Sequence, residues 1–417
     1  MMPKSLSDAT IAVVKATVPA LEVHGLTITR RMYERLFQVD AMRDLFNQSH
    51  QGEAGSQPKA LANAVMAYAR NIDKLDTLGP TIERIVQKHV VLNILPEHYP
   101  FVADALLGAI RDVLGDAASN EVIAAWGEAY WFLAELLIGR EAIAYRERAA
   151  QPGGWNGWRA FLVESVTVES SIIRSFTLAP ADGGKVVRHK PGQYLGFAFE
   201  VPGVGSLRRN YSISCAPNDR AYRITVKREA TAGKAPGQVS TWLHDHVRPG
   251  SVLQVAAPAG DFFVDPASRS PIVLLSGGVG LTPMMSMLEA IAESRSARPT
   301  WWVHGALNGQ VDAMRDHVRD LASRTSNVHL TTFYTQPLAG DRAGTDFDVE
   351  GFISAEWLAR NTPIDRATIY LCGPKPFLRT LIQGLMREGV SADRLRYEFF
   401  GPTEDLLGPE PEVNAAA

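Results

Sequence analysis

The chain has 417 residues, of which 46% are hydrophobic and 21% charged, and its formal net charge at pH 7 is -3. This length favours two or three globular domains, and the balanced charge gives no reason to expect nucleic acid or an anionic membrane surface as a partner. Because no apolar run predicts stable membrane insertion and the two cysteines, Cys215 and Cys372, are too few for a disulfide framework, we expect a cytoplasmic protein.

Residues 1–150 carry apolar residues at the helical period and form the first predicted domain. Six helices in this length are typical of an α-domain of globin size. They are predicted over Asp8–Val18, Glu22–Phe37, Lys59–Ile72, Pro80–Val91, Glu97–Leu114 and Asn120–Arg148.

In the fourth of these helices, His89 shares an apolar face with Ile82 and Ile85. A histidine in that position is either a satisfied core residue or a ligand. Two aromatic residues, Tyr33 and Phe46, precede it in a pattern typical of a haem pocket. The alternative for each of them is an ordinary buried aromatic residue of the hydrophobic core.

Gln57 stands directly before Pro58. The residue that precedes a proline is disfavoured in the α-conformation. We therefore predict that Gln57 is extended, at the start of the third predicted helix or turned away from the pocket.

Residues 151–266 are predicted to form a second domain, which begins with the Pro/Gly-rich linker 151–158. Beyond the linker the apolar period changes to two, and six strands in so short a segment favour a small antiparallel barrel. The strands are predicted over Phe161–Glu169, Ile172–Leu178, Gly192–Glu200, Leu207–Ser214, Tyr222–Lys227 and Val252–Ala256.

The fourth strand contains the run Arg209-Asn210-Tyr211-Ser212. Alternate strand residues share a face, so Arg209 and Tyr211 point the same way. An arginine beside an aromatic ring suits a ligand that has a phosphate and a flat ring system, although an ordinary half-exposed strand would have the same pattern.

A second candidate phosphate site lies at Gly237 and Ser240, just before the predicted short helix Thr241–His246. Backbone amides at a helix N-terminus attract phosphate. A plain Pro-Gly turn is the alternative.

Residues 267–404 alternate strands with helices, which predicts a doubly wound parallel sheet, and residues 405–417 are a tail. The elements are predicted over Ile272–Ser276, Pro283–Glu293, Thr300–Gly305, Val311–Ser323, Val328–Tyr334, Ser354–Arg360, Thr368–Cys372, Lys375–Glu388 and Arg394–Phe400.

A glycine loop follows the first strand of this domain and opens a helix, the context expected of a dinucleotide site. Gly278 and Gly280 would let the backbone approach a pyrophosphate, and Thr282 could hydrogen-bond it. The loop also contains Val279 and Leu281, and Pro283 begins the helix; Cys372-Gly373-Pro374 ends another strand at the same edge of the sheet.

Taken together, these motifs resemble the flavohaemoglobin family from Thr10 to Pro402. In the first third, the resemblance is carried by Tyr33, Phe46, Gln57, Gln-Lys-His89, Pro-Glu-His-Tyr99 and Arg-Glu141-Ala. In the middle it is carried by Pro191-Gly-Gln-Tyr194 and Arg209-x-Tyr211-Ser212, which look like the flavin signatures of ferredoxin-reductase-type domains.

The resemblance implies a role for each residue of the haem pocket. His89 would be the proximal ligand of haem b iron, with Tyr99 and Glu141 hydrogen-bonded to its imidazole. Tyr33, assisted by Gln57, would donate a hydrogen bond to oxygen at the iron. Phe46 would pack on the porphyrin face.

The resemblance also implies the flavin and nucleotide contacts. FAD would meet Tyr211, Ser212 and the adenine-side Tyr194, with Arg209 on its pyrophosphate, and Cys372–Pro374 would line the nicotinamide side. In the run Glu398-Phe399-Phe400-Gly401-Pro402, Phe400 would stack on the isoalloxazine, and Lys88 and Glu398 would pair near the haem–flavin junction.

The activity that this resemblance implies is nitric oxide dioxygenation by a monomer. NAD(P)H would reduce FAD, FAD would reduce the haem, and bound O2 would oxidise nitric oxide to nitrate. Two alternatives remain: an oxygen-binding or sensing globin with its own haem reductase, and an NAD(P)H–flavin reductase.

Overall fold

The computed structural model describes residues 5–43, 45, 56–74, 79–230, 233, 235–265 and 267–401. The chain divides into two compact units. The first comprises Met1–Ala160, Leu195–Asn210 and Leu253–Asp261, and the second comprises Phe161–Tyr194, Tyr211–Val252 and Phe262–Ala417. The domain boundaries predicted at residues 150 and 266 remain predictions.

Helices dominate the first unit, and the six predicted helices are all present. The serine hydroxyls of Ser7 and Ser119 cap the first and last of them by accepting hydrogen bonds from the amides of Thr10 and Val122. An additional four-residue helix, α3, is too short to show a period. Within the described residues, the helices are α1 Asp8–Ala16, α2 Val18–Leu36, α3 Asp40–Arg43, α4 Ser56–Arg70, α5 Gly79–Val91, α6 Tyr99–Leu114 and α7 Asn120–Ala150.

The expectation that Pro58 keeps Gln57 extended is wrong, because α4 begins at Ser56 and includes Gln57 in its first turn. The first amides of a helix have no partner within the helix, so a proline in the first turn removes no hydrogen bond. The carbonyl of Pro58 also accepts a 2.9 Å hydrogen bond from the buried hydroxyl of Thr29 on α2, which holds the start of α4 in place.

Helix α7 is 31 residues long and contains an 18-residue window with mean hydropathy 1.3, so by length and composition alone it could cross a membrane. The bent pair α1 and α2 passes the same test if it is taken as one span. Side chains of α7, including Trp126, Ala129 and Leu137, are buried in the helical cores of the first unit. Core helices of soluble proteins meet the same criterion, and 28% of this window is buried.

The predicted antiparallel strands form one curled six-stranded sheet. The strands are β1 Arg159–Val168, β2 Ile173–Pro180, β3 Tyr194–Val201, β4 Gly205–Ser212, β5 Tyr222–Lys227 and β6 Val252–Val255. Their order in the sheet is β4-β3-β6-β1-β2-β5. Just beyond β4, Ile213 bridges Ile224 of β5, and the amide of Ser214 donates to the carbonyl of Arg223 at 2.8 Å, so the two ends of the sheet meet there.

The predicted parallel sheet is also present. Its strands are β7 Ile272–Gly277, β8 Thr300–Ala306, β9 Val328–Tyr334, β10 Val349–Glu350, β11 Thr368–Cys372 and β12 Leu395–Glu398. Their order is β10-β9-β8-β7-β11-β12, and the two-residue strand β10 is an addition to the prediction. Helix α8 Gln238–His246 precedes the sheet, and between its strands lie α9 Leu281–Glu293, α10 Arg315–Ser323, α11 Ala355–Asn361 and α12 Lys375–Arg387.

The sequence of β7 explains its central place. Ile272 and Leu274 pack in one hydrophobic core, while Val273 and Leu275 pack in another, and all four are fully buried. A continuous apolar run is what a parallel strand needs when helices cover both faces.

Helix α10 and strand β12 are shorter than predicted. Helix α10 begins at Arg315 rather than Val311, since Met314 takes a left-handed conformation (φ 58°) at its N-cap. Strand β12 ends at Glu398 rather than Phe400.

Candidate functional site

The side chains of His89, Tyr99 and Glu141, from three different helices, are in contact. Its Nδ1 lies 2.7 Å from Oε1 of Glu141 on α7 and 3.2 Å from the hydroxyl of Tyr99 at the start of α6. The Tyr99 hydroxyl also donates to the same carboxylate oxygen at 2.7 Å. Because a carboxylate only accepts, Nδ1 carries a ring hydrogen, and in the neutral imidazole Nε2 then presents a lone pair.

Burial strengthens this arrangement. The side chain of Glu141 is 3% exposed, whereas that of His89 is 30% exposed. Burial, together with the charge of Glu141, raises the pKa of Tyr99 well above its usual value, so its hydroxyl stays a donor. The Tyr130 hydroxyl donates to the carbonyl of Tyr99 at 2.7 Å and fixes the start of α6.

The chemistry of these donors fits a haem iron. Within the described part of the chain, Nε2 of His89 makes no hydrogen bond, and no cluster of three or more His, Cys, Asp or Glu could hold a metal ion without a porphyrin. A neutral imidazole whose far nitrogen is held by a carboxylate is a strongly donating axial ligand.

Tyr33 lies on α2 with 6% of its surface exposed, and its ring centroid is 5.4 Å from that of Phe37. Burial raises the pKa of Tyr33, so its phenol remains protonated and can donate a hydrogen bond. Gln57 is half-buried in the first turn of α4, and Phe46 lies outside the described residues. The distal roles of these residues remain predictions.

The flavin run lies on consecutive positions of β4. Arg209 and Tyr211, which share one face of the strand, are both half-buried, whereas Asn210 is exposed and Ser212 is buried. One guanidinium nitrogen of Arg209 donates to the carbonyl of Arg208 at 2.7 Å. Tyr194 is half-buried as the first residue of β3.

At the second candidate phosphate site, Gly237 is the N-cap of α8 and Ser240 lies in its first turn. The Ser240 hydroxyl donates to the carbonyl of Gly237 and accepts from the amide of Glu229, both at 3.2 Å. This hydroxyl therefore secures the start of α8, and any phosphate would meet the free backbone amides of the first turn.

The glycine loop and the Cys372 turn come together because β7 and β11 are neighbours in the sheet. Gly278 has φ 54°, and a Cβ placed on Gly280 would lie 2.1 Å from the carbonyl oxygen of Cys372. Only glycine permits this approach. A Cβ placed on Gly373, the residue after Cys372, would lie 2.7 Å from the ring of Phe377.

Within this loop, the Thr282 hydroxyl donates to the carbonyl of Val279 at 3.1 Å and is 2% exposed. Leu281 and Pro283 begin α9 and are buried. Because its hydrogen is already donated within the loop, Thr282 would have to turn to bind a pyrophosphate.

Cys372 is fully buried, and burial, followed by the charge of Glu398, raises the pKa of its thiol well above its usual value. A thiol with a raised pKa is a packing residue rather than a nucleophile. Pro374 is the N-cap of α12.

Phe400 is 48% exposed just beyond β12, while Glu398, Phe399 and Gly401 are half-buried. An exposed ring at this edge is available for stacking. Pro402 lies outside the described residues. Lys88 is exposed on α5 in the first unit and Glu398 belongs to the second, so their pairing stays a prediction.

Sequence patterns did not single out one polar cluster in the second unit. Glu289 on α9 is 8% exposed and contacts Arg223, His317 and the backbone of Ala216. A glutamate in an otherwise buried helix was the available signal, since buried charges require partners.

Comparison with known proteins identifies the family. Residues 30–135 match the globin family, and residues 274–382 match the oxidoreductase NAD-binding domain. The chain is 50% identical to a flavohemoprotein of Xylella fastidiosa over 97% of this chain and 100% of that protein. The chain belongs to the flavohaemoprotein family.

Other flavohaemoproteins agree over the same span. A flavohemoprotein of Rhizobium meliloti is 44% identical over 95% of this chain and 98% of its own length. A flavohemoglobin of Malassezia yamatoensis, solved with bound FAD and haem, superposes with a TM-score of 0.81 at 26% identity, over 95% of this chain and 100% of that one.

The FAD/NAD-binding domain of a nitric oxide dioxygenase from Vibrio cholerae covers 59% of this chain and 100% of its own, with TM-score 0.54 and 34% identity. The predicted family and fold class, a globin domain followed by ferredoxin-reductase-type flavin and nucleotide domains, are therefore confirmed.

Proposed function

We propose that this flavohaemoprotein is a nitric oxide dioxygenase that carries haem b and FAD and uses NAD(P)H as its electron source. Its substrates are O2 and nitric oxide, and its product is nitrate. When bound, FAD accepts a hydride and passes single electrons to the haem, which supplies the iron for oxygen chemistry.

The observation that carries this proposal is the contact of His89 with Glu141 and Tyr99. A globin that only stores oxygen needs no buried carboxylate on the proximal imidazole. The negatively charged carboxylate of Glu141, which accepts the hydrogen bond from Nδ1–H, makes the imidazole a stronger electron donor. A stronger donor favours oxygen activation over reversible binding. Tyr99 orients that carboxylate through its own 2.7 Å hydrogen bond.

The other residues prepare the site for its substrates. The protonated phenol of Tyr33 would stabilise negative charge that develops on oxygen in an apolar pocket. The loop at Gly278 and Gly280 offers backbone amides to the pyrophosphate of NAD(P)H at the start of α9. Arg209 would bind the FAD pyrophosphate, and Tyr211 and Ser212 its flavin end. Phe400 would move aside for nicotinamide.

Purified protein tests the proposal directly. Its absorption spectrum should contain both a Soret band and a flavin shoulder. Under air, NADH or NADPH oxidation and nitrate formation should track the supply of nitric oxide, and haem removal should abolish both. A nitrate yield that does not follow nitric oxide supply would contradict the proposal.

The alternatives give other outcomes in the same experiment. An oxygen-binding or sensing globin would keep its haem ferrous with NAD(P)H but would not turn over nitric oxide. A flavin reductase would oxidise NAD(P)H at a rate that depends neither on haem nor on the supply of nitric oxide, and it would form no nitrate.

We infer that the protein is a cytoplasmic monomer and that its partners are the small molecules O2, nitric oxide and NAD(P)H. The two free cysteines, Cys215 and Cys372, support a reducing compartment. Gel filtration of the holoprotein would test the oligomeric state.

A further inference from the structure

We propose that Ser286 and Glu289 are positioning residues for hydride transfer. They join helix α9, which follows the nucleotide loop, to the segment Ser214–Ala216, which follows the flavin strand β4. This inference rests on the proposed function, because it concerns the step in which NAD(P)H reduces FAD.

Both side chains lie on one face of α9, since residues three apart on a helix are neighbours. Ser286 is fully buried and Glu289 is 8% exposed. The helix begins at Leu281, directly after the turn Gly278–Gly280. Any shift of this face therefore shifts the loop that would hold the dinucleotide.

The partners of these side chains are two consecutive backbone groups. The Ser286 hydroxyl donates to the carbonyl of Cys215 at 2.7 Å, and Glu289 Oε2 accepts from the amide of Ala216 at 2.7 Å. The fully buried His189 adds its Nε2, 3.0 Å from the Cys215 carbonyl and 3.1 Å from the Ser286 hydroxyl. Ser212, the last residue of the flavin run, is only three residues before Cys215.

Arg223 and His317 contact the second carboxylate oxygen of Glu289. Oε1 lies 2.6 Å from a guanidinium nitrogen of Arg223 and 2.7 Å from Nε2 of His317. Although burial by itself would raise the pKa of Glu289, the hydrogen bonds from His317 and Arg223 hold it below its usual value. The same arginine donates to the carbonyl of Ser214, so the whole segment is held from two sides.

The chemistry explains why a rigid connection matters. In flavin reduction the C4–H bond of the nicotinamide breaks and its hydrogen and electron pair bond to flavin N5, so the nucleotide is oxidised and the flavin reduced. This transfer needs the two rings within contact distance and aligned. A displacement of about 1 Å can cost about a hundredfold in rate.

The experiment compares Ser286→Ala and Glu289→Gln with Glu293→Gln in the full-length holoprotein. Glu293 is an exposed carboxylate one turn further along α9 and serves as the matched control. Flavin reduction by NADH is followed anaerobically by stopped flow at saturating nucleotide. We expect the limiting rate constant to fall roughly ten- to hundredfold in the two test variants and to stay unchanged in the control.

A second measurement separates positioning from folding. FAD content, the Soret band and the apparent dissociation constant for NADH should change little. Electron flow from flavin to haem, started by photoreduction of the flavin without NADH, should be unchanged. Hydrogen exchange at the Ala216 amide should become faster in Glu289→Gln, because a neutral amide accepts more weakly than a carboxylate.

The outcomes are distinguishable. If Ala216 exchanges faster while the limiting rate of flavin reduction equals that of wild type, the contact is only structural and the inference is overturned. If wild-type flavin is not reduced by NADH or NADPH, the proposed function itself fails. Should Glu289→Gln not fold, Ser286→Ala decides alone, since it removes one hydroxyl and no charge.

Discussion

Oε1 of Glu141 and Nδ1 of His89 are 2.7 Å apart, although the two residues are separated by 52 positions in the chain. The carboxylate is almost completely buried and the imidazole is partly exposed. Burial of the carboxylate limits the screening of its charge by water, which strengthens the interaction of Glu141 with the ring.

Glu141→Gln should keep the hydrogen bond to His89 but remove the charge. A charge-assisted hydrogen bond is about twice as strong as a neutral one, so the imidazole becomes a weaker donor to iron. We expect a lower iron–histidine stretching frequency by resonance Raman and a roughly ten- to hundredfold slower consumption of nitric oxide. Glu147→Gln, an exposed change on the same helix, is the control, and an equal frequency in both variants would contradict the interpretation.

His89→Ala should abolish haem retention, since its Nε2 is the proposed iron ligand. Flavin-dependent ferricyanide reduction should persist, because the flavin and nucleotide residues are untouched. The ratio of Soret to flavin absorbance of the purified variant measures this, and full haem occupancy would rule out the ligand assignment.

Tyr33→Phe should speed release of oxygen from the ferrous protein, because it removes the phenol that we propose donates a hydrogen bond to the gas. Flash photolysis or rapid mixing gives the off-rate. Tyr68→Phe is a matched control: its buried hydroxyl donates to the carbonyl of Ala129 at 2.7 Å, so that change should cost about 1 kcal/mol of stability and leave the off-rate unaltered. Equal off-rates in wild type and Tyr33→Phe would mean that the phenol does not touch the gas.

Gly280→Ala should disrupt the nucleotide site, because its Cβ would lie 2.1 Å from the carbonyl oxygen of Cys372. The loop must move, and flavin reduction by NADH should fall far more than FAD or haem content. Gly340→Ala is the control, since a Cβ there meets nothing within 4 Å. Retention of wild-type NADH affinity by Gly280→Ala would show that the loop does not bind the dinucleotide.

Acid should destabilise the protein partly through His189. Burial lowers the pKa of His189 from 6.5 to about 4, so the native state keeps it neutral while the unfolded state takes up a proton. Its contribution to stability is complete above pH 6.5, decreases as the pH falls from 6.5 towards 4 and then levels off, for a total loss of roughly 3 kcal/mol.

His189→Gln, which keeps a donor for the Cys215 carbonyl, should flatten the melting temperature between pH 6.5 and 4. Thermal unfolding followed by circular dichroism across this range gives the comparison. Parallel acid profiles in the variant and the wild type would show that another group is responsible.

Local pattern was enough to predict most elements of the fold. Strands β5, β9 and β11 have the predicted bounds, and α5 and α7 differ from theirs by at most two residues. Periodicity works here because the burial of side chains repeats with the period of the helix or the strand, and even a short segment contains several such periods. The prediction was wrong at Gln57. It relied on the preference of a residue before proline and did not consider that Pro58 lies in the first turn of α4, where the hydrogen bond from Thr29 holds its carbonyl.

By itself, the sequence determined the kind of each module: a helical domain with a histidine on an apolar face, an antiparallel sheet with an arginine–tyrosine strand, and a parallel sheet with a glycine loop. Only the tertiary structure decided which distant groups meet, as with Glu141 at His89 or Glu289 at Arg223, 66 positions apart. The reason is physical. The hydrophobic pattern of a segment indicates which face of that helix or strand is buried. The partner of a buried charge depends on which side chains the packing of other elements brings within hydrogen-bond distance.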